Sequence, residues 1–254
     1  VSALFWTGSL IRLKAIDMHA DRSLAIETSG RFGSVALVED EAVVADEIFS
    51  HGLKHAAGLL PLIDGLMRHR GWIPSDLRHL YVSYGPGSFT GLRIAVTLAK
   101  TFAFTTGAKI VAVPSLRVLA TNAPPEARHV VLMLDAKRDQ IFTARYERQG
   151  KLLIEHEQAH LDSLQNVLLR SPRPVHLIGE GIPYHEKFLP ADRTGIIITP
   201  EECWRARASV VAEIGIEMAN RGEFTDPDRF IPAYIRQPEA EEKYELQYGV
   251  AAPP

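Results

Sequence analysis

The sequence predicts an α/β protein of two lobes, each a βββαβαβα unit. Three observations lead there. Apolar residues make up 46% of the 254 positions, ample for a large buried core. Short alternating or β-branched runs are interleaved with runs of helical period. That interleaving is completed once, breaks at the proline-rich stretch APPEAR (123–128), and is completed again.

The first unit opens with SLAIETS (23–29), GSVALVED (33–40) and AVVADEIF (42–49), which alternate or are β-branched and are separated by short polar turns. They read as a three-strand meander. LKHAAGLLPLIDGLMRHR (53–70) carries Leu59, Leu60, Ile63, Leu66 and Met67 at helical spacing, with Pro61 marking a kink or a late start. LRHLYVSY (77–84) is a fourth strand, followed by a helix from about Ser88 to Thr106. AKIVAVP (108–114) is a fifth strand and SLRVLATNA (115–123) a short helix.

In the second unit HVVLMLDA (129–136), QIFTARYERQ (140–149) and KLLIEHEQAHL (151–161) repeat the meander. DSLQNVLLR (162–170) is a helix with Asp162 as its expected N-cap. RPVHLIGEG (173–181), a helix near YHEKFLP (184–190), the strand GIIIT (195–199) and the helix ASVVAEIGIEMANRG (208–222) complete it, with Gly222 as terminator. The lobes are set at 22–122 and 123–237, the last helix packing back on the first lobe. The proline-punctuated stretch 224–245 is expected along the surface, and 238–254 is a polar tail. Residues 1–21 are placed outside the fold. Met18 is expected to be the natural start, with 1–17 a translated leader.

A net charge of −3 argues against autonomous nucleic-acid binding, which needs a basic excess. A single cysteine, Cys203, excludes an internal disulfide and a cysteine-based zinc site and suits a reducing cytoplasm. The apolar patch ALFWTGSLIRL (3–13) is too short to span a bilayer.

The most informative stretch is YGPGSFTGLRIAVTLAK (84–100). It is not a Walker A loop: five residues separate Gly85 from Gly91, and Leu92 and Arg93 follow where a lysine and a hydroxyl belong. Nor is it a dinucleotide fingerprint, because Thr90 holds the third glycine's place, nor a nucleophile elbow, because Pro86 and Thr90 flank Ser88. What survives is a strand-to-helix corner with Ser88 or Thr90 as cap. Its free N–H groups can attract an anion, although a capped corner without ligand is the simpler reading. His51 and His55 have the spacing of a zinc pair but no third ligand and no glutamate base, and read as partly exposed histidines. Asp135, Lys137, Arg138 and Asp139 in LDAKRDQ read as a solvated hairpin turn, and ECWRARAS (202–209) as surface. The helices of 53–70 and 91–106 are apolar around much of their circumference, a hint of a partner interface.

LAIETSGRFGSVAL, SYGPGSFTGLRIAVTLAK, LMLDAKRDQIFTARYE and FIPAYIRQ fall in the order found in the bacterial TsaB (YeaZ) family, which this chain resembles from Ser23 to about Gln237. The resemblance implies an actin/Hsp70/sugar-kinase-like (ribonuclease H-like) fold. It also implies a non-catalytic, activating subunit of the tRNA N6-threonylcarbamoyladenosine synthase, partnered by the catalytic subunit TsaD and the ATPase TsaE. It further implies homodimers when the partner is absent, and contact with tRNA only through the complex. TsaD carries a His-x-x-x-His metal pair where this chain has Ser115 and Leu119, so no metal site of that kind is expected. Glu27-Thr28-Ser29-Gly30 replaces the aspartate turn usual in actin-like ATPases. That turn and Gly85, Gly87, Ser88 and Thr90 are therefore taken as vestigial phosphate turns, with no cofactor of the chain's own and ATP only in the complex with TsaD and TsaE. No catalytic residue is assigned. The TsaD-facing interface is assigned to Leu59, Leu60, Ile63, Met67, Leu92, Val96, Ala99 and Lys100. A stand-alone actin-fold ATPase or kinase is the alternative, and a glycoprotease a more distant one.

Overall fold

The computed structural model describes residues 20–49, 55–236 and 249. The first unit runs β1 (Arg22–Glu27), β2 (Gly33–Glu39), β3 (Ala42–Phe49), α1 (His55–His69), β4 (Leu77–Ser83), α2 (Phe89–Thr106), β5 (Lys109–Val113) and α3 (Ser115–Ala120). The second runs β6 (His129–Asp135), β7 (Ile141–Gln149), β8 (Leu152–Asp162), α4 (Leu164–Leu169), β9 (Val175–Ile178), α5 (Ile182–His185), β10 (Ile196–Ile198) and α6 (Ala208–Asn220). The expected βββαβαβα order is present in both. The two five-stranded sheets have the same plan, β3-β2-β1-β4-β5 and β10-β9-β6-β7-β8. In each, the meander is antiparallel and the crossover strands are parallel.

Parallel crossovers need helices on both faces of a sheet, so the inner strands are buried on both sides. Period-two alternation sorts their residues. Leu24 and Ile26 of β1 face Leu59, Ile63 and Met67 of α1 and Ala95, Val96 and Ala99 of α2. Ala25, between them, faces the opposite side, where α6 supplies Ala208, Val211 and Ala212. The second sheet packs Val131 and Met133 against α4 and Val130 and Leu132 against α3. The layer between the sheets is therefore exchanged: α3 of the first unit covers the second sheet, and α6 of the second covers the first. Among the described residues no helix is long and apolar enough to cross a membrane.

Three local expectations are corrected. The N-cap of α4 is Ser163, whose hydroxyl accepts from Asn166 N. Asp162 sits one residue outside and accepts from Ser163 N (2.7 Å) and the Asn166 side chain (3.0 Å). From 224 to 236 the chain is non-helical but not merely superficial. Thr225 bridges to Ile110, Ala233 N donates to Tyr84 O at 2.8 Å, and Phe230 is 2% exposed in the first lobe's core. Proline spacing registered the lack of helix and could not register the anchor. Asp21, assigned to the leader, pairs with Asp40 across the β1–β2 end (Asp40 N to Asp21 O, 2.9 Å). The Met18 start, residues 1–17 and the 238–254 tail fall on residues outside the described ones, Gly249 apart.

Candidate functional site

The structure brings the turn after β1 and the glycine turn after β4 together, in a way that spends their polar groups. Ser88 N donates to Ser29 O (2.7 Å), and Thr28 Oγ1 donates to Gly91 O (2.8 Å). The glycines serve this contact. A Cβ at Gly87 would lie 2.3 Å from Ser29 O, and one at Gly91 would lie 2.0 Å from Thr28 O. Neither position admits a side chain. Ser88 is the cap of α2, its Oγ accepting from Gly91 N at 3.3 Å, while Thr90 is exposed.

Beneath the joint, Glu27 is fully buried and its Oε1 accepts from both the backbone N and the hydroxyl of Ser29, each at 2.5 Å. Burial pushes its pKa above the ordinary carboxylate value, more than its hydrogen bonds pull it down. Gly85 is fixed from the other side. Its N donates to Ser115 Oγ (3.0 Å), which also shares a 2.6 Å hydrogen bond with Ser83 Oγ. Leu119 lies in the core against the second sheet. The two positions where TsaD carries its histidine pair are thus a buried structural hydroxyl and a core side chain. Among the described residues, no group of three His, Cys, Asp or Glu side chains can hold a metal ion. His51 and the side chain of His55 fall outside the described residues.

These turns form one wall of an inter-lobe cleft of about 850 Å³. The opposite wall was not anticipated. It is the β6–β7 turn, topological counterpart of the β1–β2 turn, together with Glu180 and Tyr184. Sequence reading took Asp135, Lys137, Arg138 and Asp139 for a solvated hairpin turn. The signal available in the sequence was the repeat itself, because the second unit's first turn is the counterpart of the turn after β1. Lys137, Arg138 and Asp139 all have left-handed backbones (φ 62°, 52° and 58°) with no glycine among them. Such conformations cost about 1–3 kcal/mol each and cluster at functional positions. Asp135 accepts from Lys137 N (3.1 Å), Lys137 Nζ (2.8 Å) and His185 Nε2 (3.2 Å). Burial acts to raise its pKa, but these bonds and the lysine charge outweigh it and hold the carboxyl below its ordinary value.

Contacts across the cleft hold the walls together. Glu180 accepts from Arg31 N at 2.5 Å, and the Arg31 guanidinium donates to the Tyr184 hydroxyl. Burial, with a smaller contribution from the Glu27 charge, raises the pKa of Glu180. Arg236 closes one end, its Nη1 donating to Ala136 O at 2.7 Å.

With this geometry in hand the chain can be compared with known proteins. A family model described as TsaD: tRNA N6-adenosine threonylcarbamoyltransferase matches residues 50–244. Over 226 residues the chain is 32% identical to the tRNA threonylcarbamoyladenosine biosynthesis protein TsaB of Bacillus subtilis, covering 87% of this chain and 96% of the relative. The chain belongs to the TsaB (YeaZ) family. The TsaB of Escherichia coli is 26% identical over 85% of this chain and 94% of its own length. YeaZ from Pseudomonas aeruginosa superposes with a TM-score of 0.71 at 25% identity, over 84% of this chain and 99% of that one. That superposition covers the two-lobed α/β architecture seen here, which is the actin-like fold expected from the sequence.

The interface assignment needs correction. Leu59, Ile63, Met67, Leu92, Val96 and Ala99 are buried in the chain's own core. The helical period marked the apolar face of α1 and α2, but the first sheet already covers that face. Of the assigned residues only Leu60 (51% exposed) and the half-buried Lys100 reach solvent. On these two neighbouring helices Leu60 and Phe104 (68% exposed) reach solvent, and Leu62, Leu66, Ile94 and Leu98 are half-buried at the margin of the core they pack against.

Proposed function

We propose that this chain is a non-catalytic, activating subunit of the tRNA N6-threonylcarbamoyladenosine synthase, docking through the outer sides of α1 and α2 on a TsaD-type catalytic subunit. The observation that carries the reading is the second apolar side of these helices. Their inner sides fill the core, yet Leu60 and Phe104 remain in solvent with half-buried leucines and an isoleucine nearby. The names of the B. subtilis and E. coli relatives supply the pathway, tRNA threonylcarbamoyladenosine biosynthesis.

The non-catalytic part is supported by the spending of polar groups at the glycine joint and by Ser115 and Leu119 standing at the metal-ligand positions. In this reading the chain holds no cofactor of its own. ATP is engaged only with TsaD and TsaE, tRNA is reached through the complex, and the same helix face forms a homodimer when the partner is absent. The place of action is the cytoplasm.

Light scattering after gel filtration, with the chain alone and mixed with TsaD from the same source, tests this. A heterodimer is expected, weakened at least ~10-fold by Leu60→Glu together with Phe104→Glu, since each buries a charge at a desolvated contact. No association with a folded TsaD overturns it. The inter-lobe cleft favours one second reading, a stand-alone ATPase or kinase. Steady ATP turnover by the isolated chain, lost in Lys137→Ala, would establish that instead. A glycoprotease has no nucleophile–base pair or metal cluster among the described residues to stand on.

A further inference from the structure

The network of Glu157, Arg145, Arg170, His160 and Asp162 ties β8 to α4 and is internally satisfied. The exposed edge of β8 bears Leu152 and Ile154, with nothing to say what would pair with it. The charge on the outer stripe of α2 leads further.

At 3.6 residues per turn, Arg93, Thr97, Lys100 and Phe104 fall on one side of α2. Arg93, Thr97 and Phe104 are exposed, and Lys100 is half-buried. Arg93 and Lys100 are the charged residues of this helix, which has no acidic side chain. Neither forms an ion pair among the described residues. On the neighbouring α1 the one acidic residue, Asp64, is already bonded to Arg68 at 2.9 Å. The stripe therefore carries positive charge that the chain itself leaves unanswered.

Arg93 is also held in place. Its guanidinium lies 3.9 Å from the centroid of the Phe89 ring, and its Nε donates to the Tyr234 hydroxyl at 3.0 Å. Tyr234 packs on Phe89 in turn, with ring centroids 5.2 Å apart. Phe230 anchors this stretch in the first lobe's core, so the end of the described chain builds the corner that fixes the arginine. An arginine fixed beforehand loses less side-chain freedom on binding than a mobile one. With Nε used, both Nη groups are without an acceptor among the described residues. They are the donors that grip a carboxylate in a two-pronged pair.

We propose that Arg93 is the charged anchor of the docking face, gripping a carboxylate of the partner subunit, while Lys100 takes a second carboxylate. This rests on the docking reading above and names the chemistry of the surface that meets it. Lys100 lies about two turns from Arg93, or about 10 Å, so the partner presents an apolar surface bearing two carboxylates about that far apart. Phe104 lies three turns from Arg93, about 16 Å, well within a single interface of ordinary size. A second copy of this chain fits less well, because its own α2 brings two more cations and no acid. The face thus favours an acidic partner over self-association. An arginine also suits an RNA phosphate. Two cations in line with an exposed phenylalanine, on a chain of net charge −3, fit a protein surface better.

Binding kinetics between the full chain and TsaD from the same source test the proposal. Arg93→Ala should weaken affinity at least ~10-fold, and Arg93→Lys at least ~3-fold, because lysine lacks the fork. Tyr234→Phe keeps the ring but frees Nε. It should cost ~3-fold beside Arg93 and nothing further beside Arg93→Ala, the mark of a residue acting through the arginine. The association rate of Arg93→Ala should also depend less steeply on salt. Arg93→Glu should be rescued by one acidic-to-Arg change on TsaD, found by scanning its exposed carboxylates. Full affinity in both Arg93→Ala and Lys100→Ala, beside loss in Leu60→Glu with Phe104→Glu, overturns the anchor and leaves the docking face standing. No association of the wild-type chain with folded TsaD removes the docking face and the anchor together. Unchanged subunit affinity with weaker tRNA binding by the assembled Arg93→Ala complex overturns the proposal too, and gives the arginine to RNA.

Discussion

Replacing Gly91 with alanine separates two accounts of the glycine turn. If its glycines exist to leave backbone N–H groups open to a phosphate, a methyl group at the start of α2 should cost little stability. Alanine is in fact the better helix former by about 1 kcal/mol. The structure requires the opposite. The added Cβ would lie 2.0 Å from Thr28 O and 3.1 Å from Thr28 C, against backbone rather than a movable side chain. The two segments must part by more than an ångström. Parting them strains the 2.8 Å bond from Thr28 Oγ1 to Gly91 O and the 2.7 Å bond from Ser88 N to Ser29 O. Overpacking of this kind costs about 1–3 kcal/mol. A weakened buried hydrogen bond adds about 1 kcal/mol or more. Less the helix gain, the net loss is about 1–3 kcal/mol, or a Tm lower by about 2–12 °C for a chain of this size. Urea unfolding and thermal melts measure it. Gly58→Ala and Gly65→Ala in α1, where a Cβ meets nothing within 4 Å, are the controls and should gain about 0.5–1 kcal/mol each. A Gly91→Ala chain as stable as the wild type, beside controls that gain, would refute the packing account.

Other consequences are as direct. Phe230→Ala should cost about 3–5 kcal/mol, because the side chain is 2% exposed in the first lobe's core, whereas Leu169→Ala at 86% exposure should stay within about 0.5 kcal/mol of wild type. Equal melting temperatures for the two would mean that the 224–236 stretch does not anchor the lobe. Ser115→Ala removes the acceptor for Gly85 N and should lower stability by about 1–3 kcal/mol, read from the urea midpoint. Glu27 gives a pH signature of definite sign. Its folded pKa is raised by burial, so the native state holds a proton that the unfolded state has lost. Stability therefore falls as pH rises from the ordinary carboxylate range through the raised value. Glu27→Gln keeps an acceptor for Ser29 and carries no charge, so its stability–pH curve should be flatter across that window. A curve parallel to the wild type's would show that the carboxyl is not the titrating group.

Much of the fold could be read in advance because its signals are local. Alternation in SLAIETS and HVVLMLDA gave strands, and 3.6-residue spacing gave α1, α2 and α6. The return of one element order after APPEAR gave the duplication. Ser88 as a possible cap followed from a hydroxyl ahead of a periodic run. Asp162 failed as the cap of α4 because Asp and Ser stand side by side there, and propensity does not rank neighbours. The candidate site was half legible. The glycine turn announced itself, while LDAKRDQ looked like an ordinary charged hairpin turn.

The sequence by itself determined the two-lobed α/β class, the order of its elements and the membership of a family, because periodicity, turn chemistry and motif order are written along the chain. Tertiary structure alone decided what each apolar side of α1 and α2 touches, and so which residues are core and which are open to a partner. It alone brought the β6–β7 turn opposite the glycine joint and laid Phe230 into the first lobe. Period gives a helix its faces but not their neighbours. Contacts between residues some 60 to 150 positions apart are not written along the chain: Thr28 meets Gly91 only when β1 pairs beside β4, and Arg31 meets Glu180 only once the exchanged packing of α3 and α6 has set the two sheets against each other.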